Sequence, residues 1–269
     1  MNPTRWIRFK AEGRVGFGIL DSGTLDGERI DGPGESISVY EGDMFVERAP
    51  TGAHVALDAV EVLTPCDPTV MIGLWNNIAS AAAEQGRTKP DEPLYFFKPP
   101  SCFLPPGGTI VRPKSHDGRI IFEAELGVVI GRRCVDVSES EVDDVIFGFT
   151  CVNDVTAPAV LRADDTFPQW CRSKSFDTFG PFGPVIATGV EPETLRIQGL
   201  VDGEVRQDYP ASDLFYSPRE LVCRISRDMT LFAGDIISCG TASGTLTIEP
   251  GATVEIVIEG IGTLSNGFA

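Results

Sequence analysis

The chain is 269 residues long and 42% hydrophobic, with 22 basic against 39 acidic side chains and a net charge of −17. That length buries a sizeable core in one large unit, or in a large and a small one, while the acidic excess would repel nucleic-acid phosphates and anionic membranes and argues against either as a partner. Seven cysteines without C-x-x-C spacing argue against a zinc knuckle or disulfide framework and for reduced thiols in a cytoplasmic protein; no run nears eighteen apolar residues, so neither a membrane span nor a leader segment is expected.

From the N-terminus, "RWIRF", "RVGFGIL" and "SISVYEGDMF" read as a small meander with Gly-rich turns. The stretch 57–68, "LDAVEVLTPCDP", reads as a link, which divides the chain into a small β domain over 1–65 and a larger one over 66–269. Within "MIGLWNNIASAAAEQG" an apolar run passes into an Ala-rich helix that Gly86 stops. "SESEVDDVIFG" offers Ser138 and Ser140 as caps and Gly148 as a stop, predicting a second short helix. "LRIQGLVDGEVRQDY" predicts a hairpin about Asp202-Gly203. "SPRELVCRI" predicts a third helix with Ser217 as cap, Pro218 at its first position and Glu220 closing a capping box. "GPVIATG", "GDIISCG" and "TVEIVIEGIGTL" are β-rich. The fold class is α+β with β dominant.

One strand raises a chemical question. In "IIFEAELGVVIG" the alternation sends Phe122, Ala124, Leu126 and Val128 to one face and Glu123 and Glu125 to the other. Two carboxylates roughly 7 Å apart along a strand repel by ~2–3 kcal/mol at an effective dielectric near 20. A solvated acidic face would accommodate them. So would a cation, if "FTCVNDVTAP" delivers Asp154 to the same place. Three carboxylates are an all-oxygen set that suits Mg²⁺, with Mn²⁺ or Ca²⁺ as substitutes. The spacing alone leaves both readings open.

The run of "FFKPPSCFLPPGGTIVRP", "FEAELGVVIG", "NDVTA", "KSFDTFGPFGPVIATG", "LFAGDIISCGTASG" and "EGIGTLSN" resembles the fumarylacetoacetate hydrolase family over about residues 70–265, in the family's order. The resemblance implies a mixed β-roll, with Glu123, Glu125 and Asp154 holding one Mg²⁺ or Mn²⁺. It implies that Lys174 polarises the substrate and that Gly240 and Thr241 position its distal part. It also implies 2-oxo acid substrates with a second carbonyl or double bond, and hydrolysis of a C–C bond, decarboxylation or keto–enol isomerisation through a shared enolate. A homodimer is the usual family state and is expected here.

The sequence departs from the pattern in three places, the mildest being "GTASG" for the usual "GTPSG". Hydrolytic members carry a His–Glu pair in a lid segment; the matching stretch "GLWNNIASAAAEQG" has Glu84 but no histidine, and the two histidines, His54 and His116, lie outside it. Glu84 is left as a lone candidate base, or as a solvated glutamate, and His116 is expected in an exposed loop. After Asp154, Pro158 and Leu161 stand where the family has an arginine and a glutamine, so Arg162 or Arg172 is the candidate clamp for a carboxylate. The leading expectation is hydrolysis of an acylpyruvate-type C–C bond, with decarboxylation or isomerisation close behind. The alternatives are a non-catalytic dicarboxylate binder and an acidic strand that holds no ion.

Overall fold

The computed structural model describes residues 3–21 and 35–269. The N-terminal meander comprises β1 (Thr4–Ala11), β2 (Arg14–Leu20), β3 (Ser36–Gly42) and β4 (Arg48–Ala56), followed by the short β5 (Glu61–Val62). Next come β6 (Met71–Trp75), α1 (Ala79–Glu84), β7 (Leu94–Lys98), β8 (Phe103–Leu104) and β9 (Thr109–Ile110). The centre holds β10 (Ala124–Ile130), β11 (Ile146–Asn153), single-turn α2 (Pro158–Leu161), α3 (Trp170–Lys174) and β12 (Gly180–Thr188). The chain closes with β13 (Arg196–Val201), β14 (Glu204–Pro210), α4 (Pro218–Asp228), β15 (Ile236–Ser238), β16 (Thr253–Ile258) and β17 (Gly262–Phe268).

Two sheets organise these strands, and the fold is β-dominated α+β. The larger runs β4-β3-β2-β1-β12-β11-β10-β15-β6-β7, with β5 on β1 and β8 on β12; the smaller runs β14-β13-β16-β17-β9. The meander therefore continues the large sheet, since β1 pairs antiparallel with β12 from Thr4↔Thr188 to Trp6↔Ile186. β10 lies between β11 and β15 and is buried along its whole length, as a strand covered on both faces must be. Its alternation is real: Phe122, Ala124, Leu126 and Val128 enter the core shared with Ile197, Ile256 and Leu264 of the smaller sheet. Val129 enters a second cluster with Trp6, Met71, Phe182 and Ile236.

Local chemistry explains where the predicted elements hold and where one fails. The hairpin turns at Asp202-Gly203, with φ of 50° and 79°, the positive pair that a two-residue turn requires. Ser217 accepts from the Glu220 amide while Glu220 reaches back to the Ser217 amide, so the capping box of α4 is complete. The helix predicted over 138–148 does not form; a single 3₁₀ turn, Val142–Asp144, precedes β11. Ser138 is bonded instead through its own hydroxyl and amide to the Glu141 carboxylate (2.5 and 3.2 Å). Gly148 pairs with Val129 inside the sheet, and a Cβ there would sit 2.4 Å from the Ala187 carbonyl oxygen; the glycine marks close strand packing, not a helix end. All seven cysteines are free, and only Cys171 is exposed.

Candidate active site

Strand register brings the three carboxylates together. Ala124 pairs with Asn153 and Glu125 with Val152, which sets Glu123 opposite Asp154; the Asp154 amide donates to the Glu123 carbonyl (2.9 Å). Opposed residues share a face of the sheet, so Glu123, Glu125 and Asp154 converge with one carboxylate oxygen from each within 4.8 Å of the others. The acidic face is not wet: Glu125 and Asp154 are buried and Glu123 is half-buried. Gly240 holds a φ of +96°, a conformation open to glycine, and its amide donates to Glu125 Oε2 (2.8 Å). The Ser238 hydroxyl donates to the same oxygen (2.5 Å).

Two lysines meet this cluster. Lys174, at the end of α3, donates to Asp154 Oδ2 (2.6 Å) and Glu123 Oε2 (2.5 Å). Lys98, at the end of β7 and fully buried, donates to Asp154 Oδ1 (2.6 Å) and to the Lys174 carbonyl. Burial pushes the Glu123 carboxyl up to about 7, with Lys174 opposing and Asp154 reinforcing the rise. Burial, then the charges of Asp154 and Glu123, hold Glu125 well above the usual carboxylate range. Burial acts on Asp154 in the same direction, but the ammonium groups of Lys174 and Lys98 outweigh it and hold that carboxyl below its ordinary value. Burial opposes charge on Lys174, and Asp154, Glu123 and Glu125 overcome it, so the ammonium stays protonated.

Above the cluster a cleft of about 360 Å³ is lined by residues that include Glu123, Lys174, Thr241, Arg119 and Arg162. Thr241 donates to the Ala124 carbonyl (3.0 Å) and accepts from Gln207 Nε2 (2.8 Å). The Tyr209 hydroxyl donates to the same carbonyl (2.7 Å), with the Gly240 oxygen 3.1 Å away. Arg162 lines the cleft; Arg172 is exposed and is not among its lining residues. Glu84 is exposed at the end of α1, accepts from the Ser243 hydroxyl, and does not line the cleft. His116 is half-buried, not exposed, because its ring packs over Gly118; neither it nor His54 lines the cleft.

Comparison with known proteins agrees with this geometry. Residues 70–269 match the family model described as fumarylacetoacetate (FAA) hydrolase C-terminal, and residues 4–65 match one described as Rv2993c-like, N-terminal. The chain belongs to the fumarylacetoacetate hydrolase family. Its relatives include the oxaloacetate tautomerase YisK of Bacillus subtilis strain 168, 34% identical over 87% of this chain and 86% of that protein. The solved 5-carboxymethyl-2-hydroxymuconate delta-isomerase of Mycobacterium smegmatis superposes with a TM-score of 0.88 at 34% identity, covering 98% of this chain and 99% of that one. The maleylpyruvate hydrolase of Sphingobium sp. SYK-6, solved with manganese(II) and pyruvate, superposes with a TM-score of 0.73 at 25% identity over 98% of each chain.

The donor set fits the divalent ion that this family fold implies. All three ligand candidates are carboxylates, the hard oxygen donors that Mg²⁺ and Mn²⁺ take. Both hydrogen bonds to Glu125 fall on Oε2. With all three carboxylates ionised, Lys98 and Lys174 leave one negative charge unbalanced, which a dication would offset. Sequence reasoning missed Lys98, Gln207, Tyr209 and Arg119. A lysine closing "LYFFK" looks like any strand-end lysine, and Gln207 and Tyr209 alternate inward on β14 exactly as core positions would.

Proposed function

We propose that this chain is a divalent-metal-dependent enzyme that interconverts the enol and keto forms of 2-oxo acids. The observation that carries the reading is the convergence of Glu123, Glu125, Asp154 and Lys174 at the floor of one cleft. Mg²⁺ or Mn²⁺ held by the three carboxylates would supply Lewis-acid polarisation of the substrate carbonyl. Lys174 presents a fixed ammonium to the oxygen on which charge develops as C3 loses its proton, and preorganised charge of this kind is usually a large catalytic term. Lys98 is a positioning residue, which holds Asp154 and the end of α3 in place. Arg162 and Arg119 are the candidate partners for the C1 carboxylate, and Thr241 is braced by Gln207 to meet the distal part of the substrate.

Tautomerisation moves one proton between the enol oxygen and C3, a transfer that solvent water in the cleft can carry, and needs neither a water activated as a nucleophile nor a leaving group. Hydrolysis of an acylpyruvate, the expectation from sequence, needs a base for water as well. Glu84 is engaged by Ser243 at the cleft rim and does not itself line the cleft, and no histidine lines it, so hydrolysis stands second. The test is an assay of enolic oxaloacetate and of acetylpyruvate with Mg²⁺, with Mn²⁺ and with chelator, beside Glu125→Gln. Metal-dependent loss of the enol with the carbon skeleton intact is expected, and Glu125→Gln should abolish it. Release of pyruvate and acetate from acetylpyruvate would put hydrolysis first. Absence of any metal-dependent reaction would overturn the reading.

A further inference from the structure

A second cavity of about 860 Å³ adjoins the cleft, and Trp75, Arg87, Phe96, Leu161, Arg162 and Trp170 border both spaces. The aromatic wall starts at the reactive cluster itself. Lys174 Nζ lies 4.9 Å from the Phe96 ring centroid. Phe96 stacks on Trp170 (5.7 Å, 15° between planes), and Trp170 in turn contacts Trp75 (5.4 Å, 59°). Phe96 is buried, but both tryptophans are half-exposed. Apolar rings left partly wet and continuous with a charged site mark a place where a ligand's apolar part is received.

The charges around this wall favour an uncharged occupant. Arg87 is already committed, with its guanidinium 4.6 Å over the Trp75 ring and donating to Gln85 (2.6 Å). Arg162 lines both spaces and is the candidate partner of the C1 carboxylate, and with both arginines engaged Asp164 and Asp165, which line the outer cavity, would repel a second carboxylate there. We infer that the outer cavity receives the tail of the substrate, and that the tail is an uncharged alkyl or aryl group carried beyond C3 of a 2-oxo acid. The inference rests on the 2-oxo acid reading above and deepens it. The head of the molecule meets the carboxylate–lysine floor, the carbons just beyond C3 pass Thr241 in the cleft, and the end of the tail lies along Phe96 and Trp170 opposite Leu161.

The test uses the protein loaded with Mn²⁺ and isothermal calorimetry with three 2-oxo acids that carry no second carbonyl to cleave: pyruvate, 2-oxoglutarate and 4-phenyl-2-oxobutanoate. Burial of a phenyl group should make the last bind roughly 10- to 100-fold tighter than pyruvate, while 2-oxoglutarate gains nothing over pyruvate. Trp170→Ala and Leu161→Gln should each shrink the phenyl-to-pyruvate affinity ratio, and Trp170→Phe should restore part of it. If pyruvate binds but the phenyl compound binds no tighter, or 2-oxoglutarate binds tightest, the tail inference is overturned and the metal-site reading stands. If none of the three binds the metal-loaded protein, that reading fails and takes the inference with it.

Discussion

Glu123 sits where a carboxylate is costly, and the cost has a sign that can be measured. Its carboxyl titrates at about 7 in the fold against an ordinary 4.5, so the folded state holds the proton more tightly than the unfolded chain. The contribution to stability is complete below the ordinary value and is lost as pH rises through about 7. Glu125 is shifted in the same direction and adds to the loss with rising pH; Asp154 is shifted the other way, below the ordinary carboxylate value. A dication requires the ionised carboxylates. The rise in Tm on adding Mg²⁺ or Mn²⁺ should therefore be small near about pH 5 and larger near about pH 8, while the chelated protein loses this stabilising contribution over the same interval. Melts at both pH values with chelator or with metal check it, and a metal-induced rise that shrinks toward pH 8 would remove these carboxylates as the ligands.

At the scale of single elements, α1, Ala-rich but only six residues long, shows how a short helix is held without a side-chain cap of its own. It has no side-chain N-cap; instead Ser80 donates to Asp213 near its start, and Glu84 accepts from Ser243 at its end. Asn77, just before it, donates to the Tyr216 and Cys239 carbonyls and accepts from the Tyr216 amide. Glu84 is then a latch between α1 and the turn after Thr241. Glu84→Ala and Ser243→Ala should each lower kcat/KM about two- to fivefold, the range of an exposed polar pair, and the double variant should be no worse than either. Loss of nearly all activity in Glu84→Ala alone would restore it as a base. The same elements show what was legible beforehand. The capping box of α4, the Asp202-Gly203 hairpin and the acid pair with Asp154 and Lys174 could be read because each depends on local pattern or on a specific motif. The bonding of Ser138 to Glu141, the burial of Lys98 and the engagement of Glu84 depend on which strand lies alongside, and the chain's local pattern does not carry that.

The whole molecule is bound across the junction between the meander and the rest. Trp6 is 5% exposed and packs in one cluster with Met44 from the connection between β3 and β4 and with Met71, Val129, Val152, Phe182 and Ile236 from the larger part. Its ring contacts Tyr40 at 5.1 Å and Phe147 at 6.3 Å, and Arg48 lies 4.8 Å above it. Val129 and Val152 of that cluster belong to β10 and β11, the strands that carry Glu125 and deliver Asp154. A core shared in this way couples the unfolding of the meander to that of the site. Calorimetry should show one transition, with the calorimetric and van't Hoff enthalpies equal, and Mg²⁺ should raise its midpoint as a whole. Trp6→Ala removes a buried indole at a cost of about 3–5 kcal/mol and should lower that single midpoint both with and without the ion. Two transitions, of which Trp6→Ala moves the first and Mg²⁺ only the second, would show instead that the meander unfolds independently and that the shared cluster does not transmit its loss to the carboxylates.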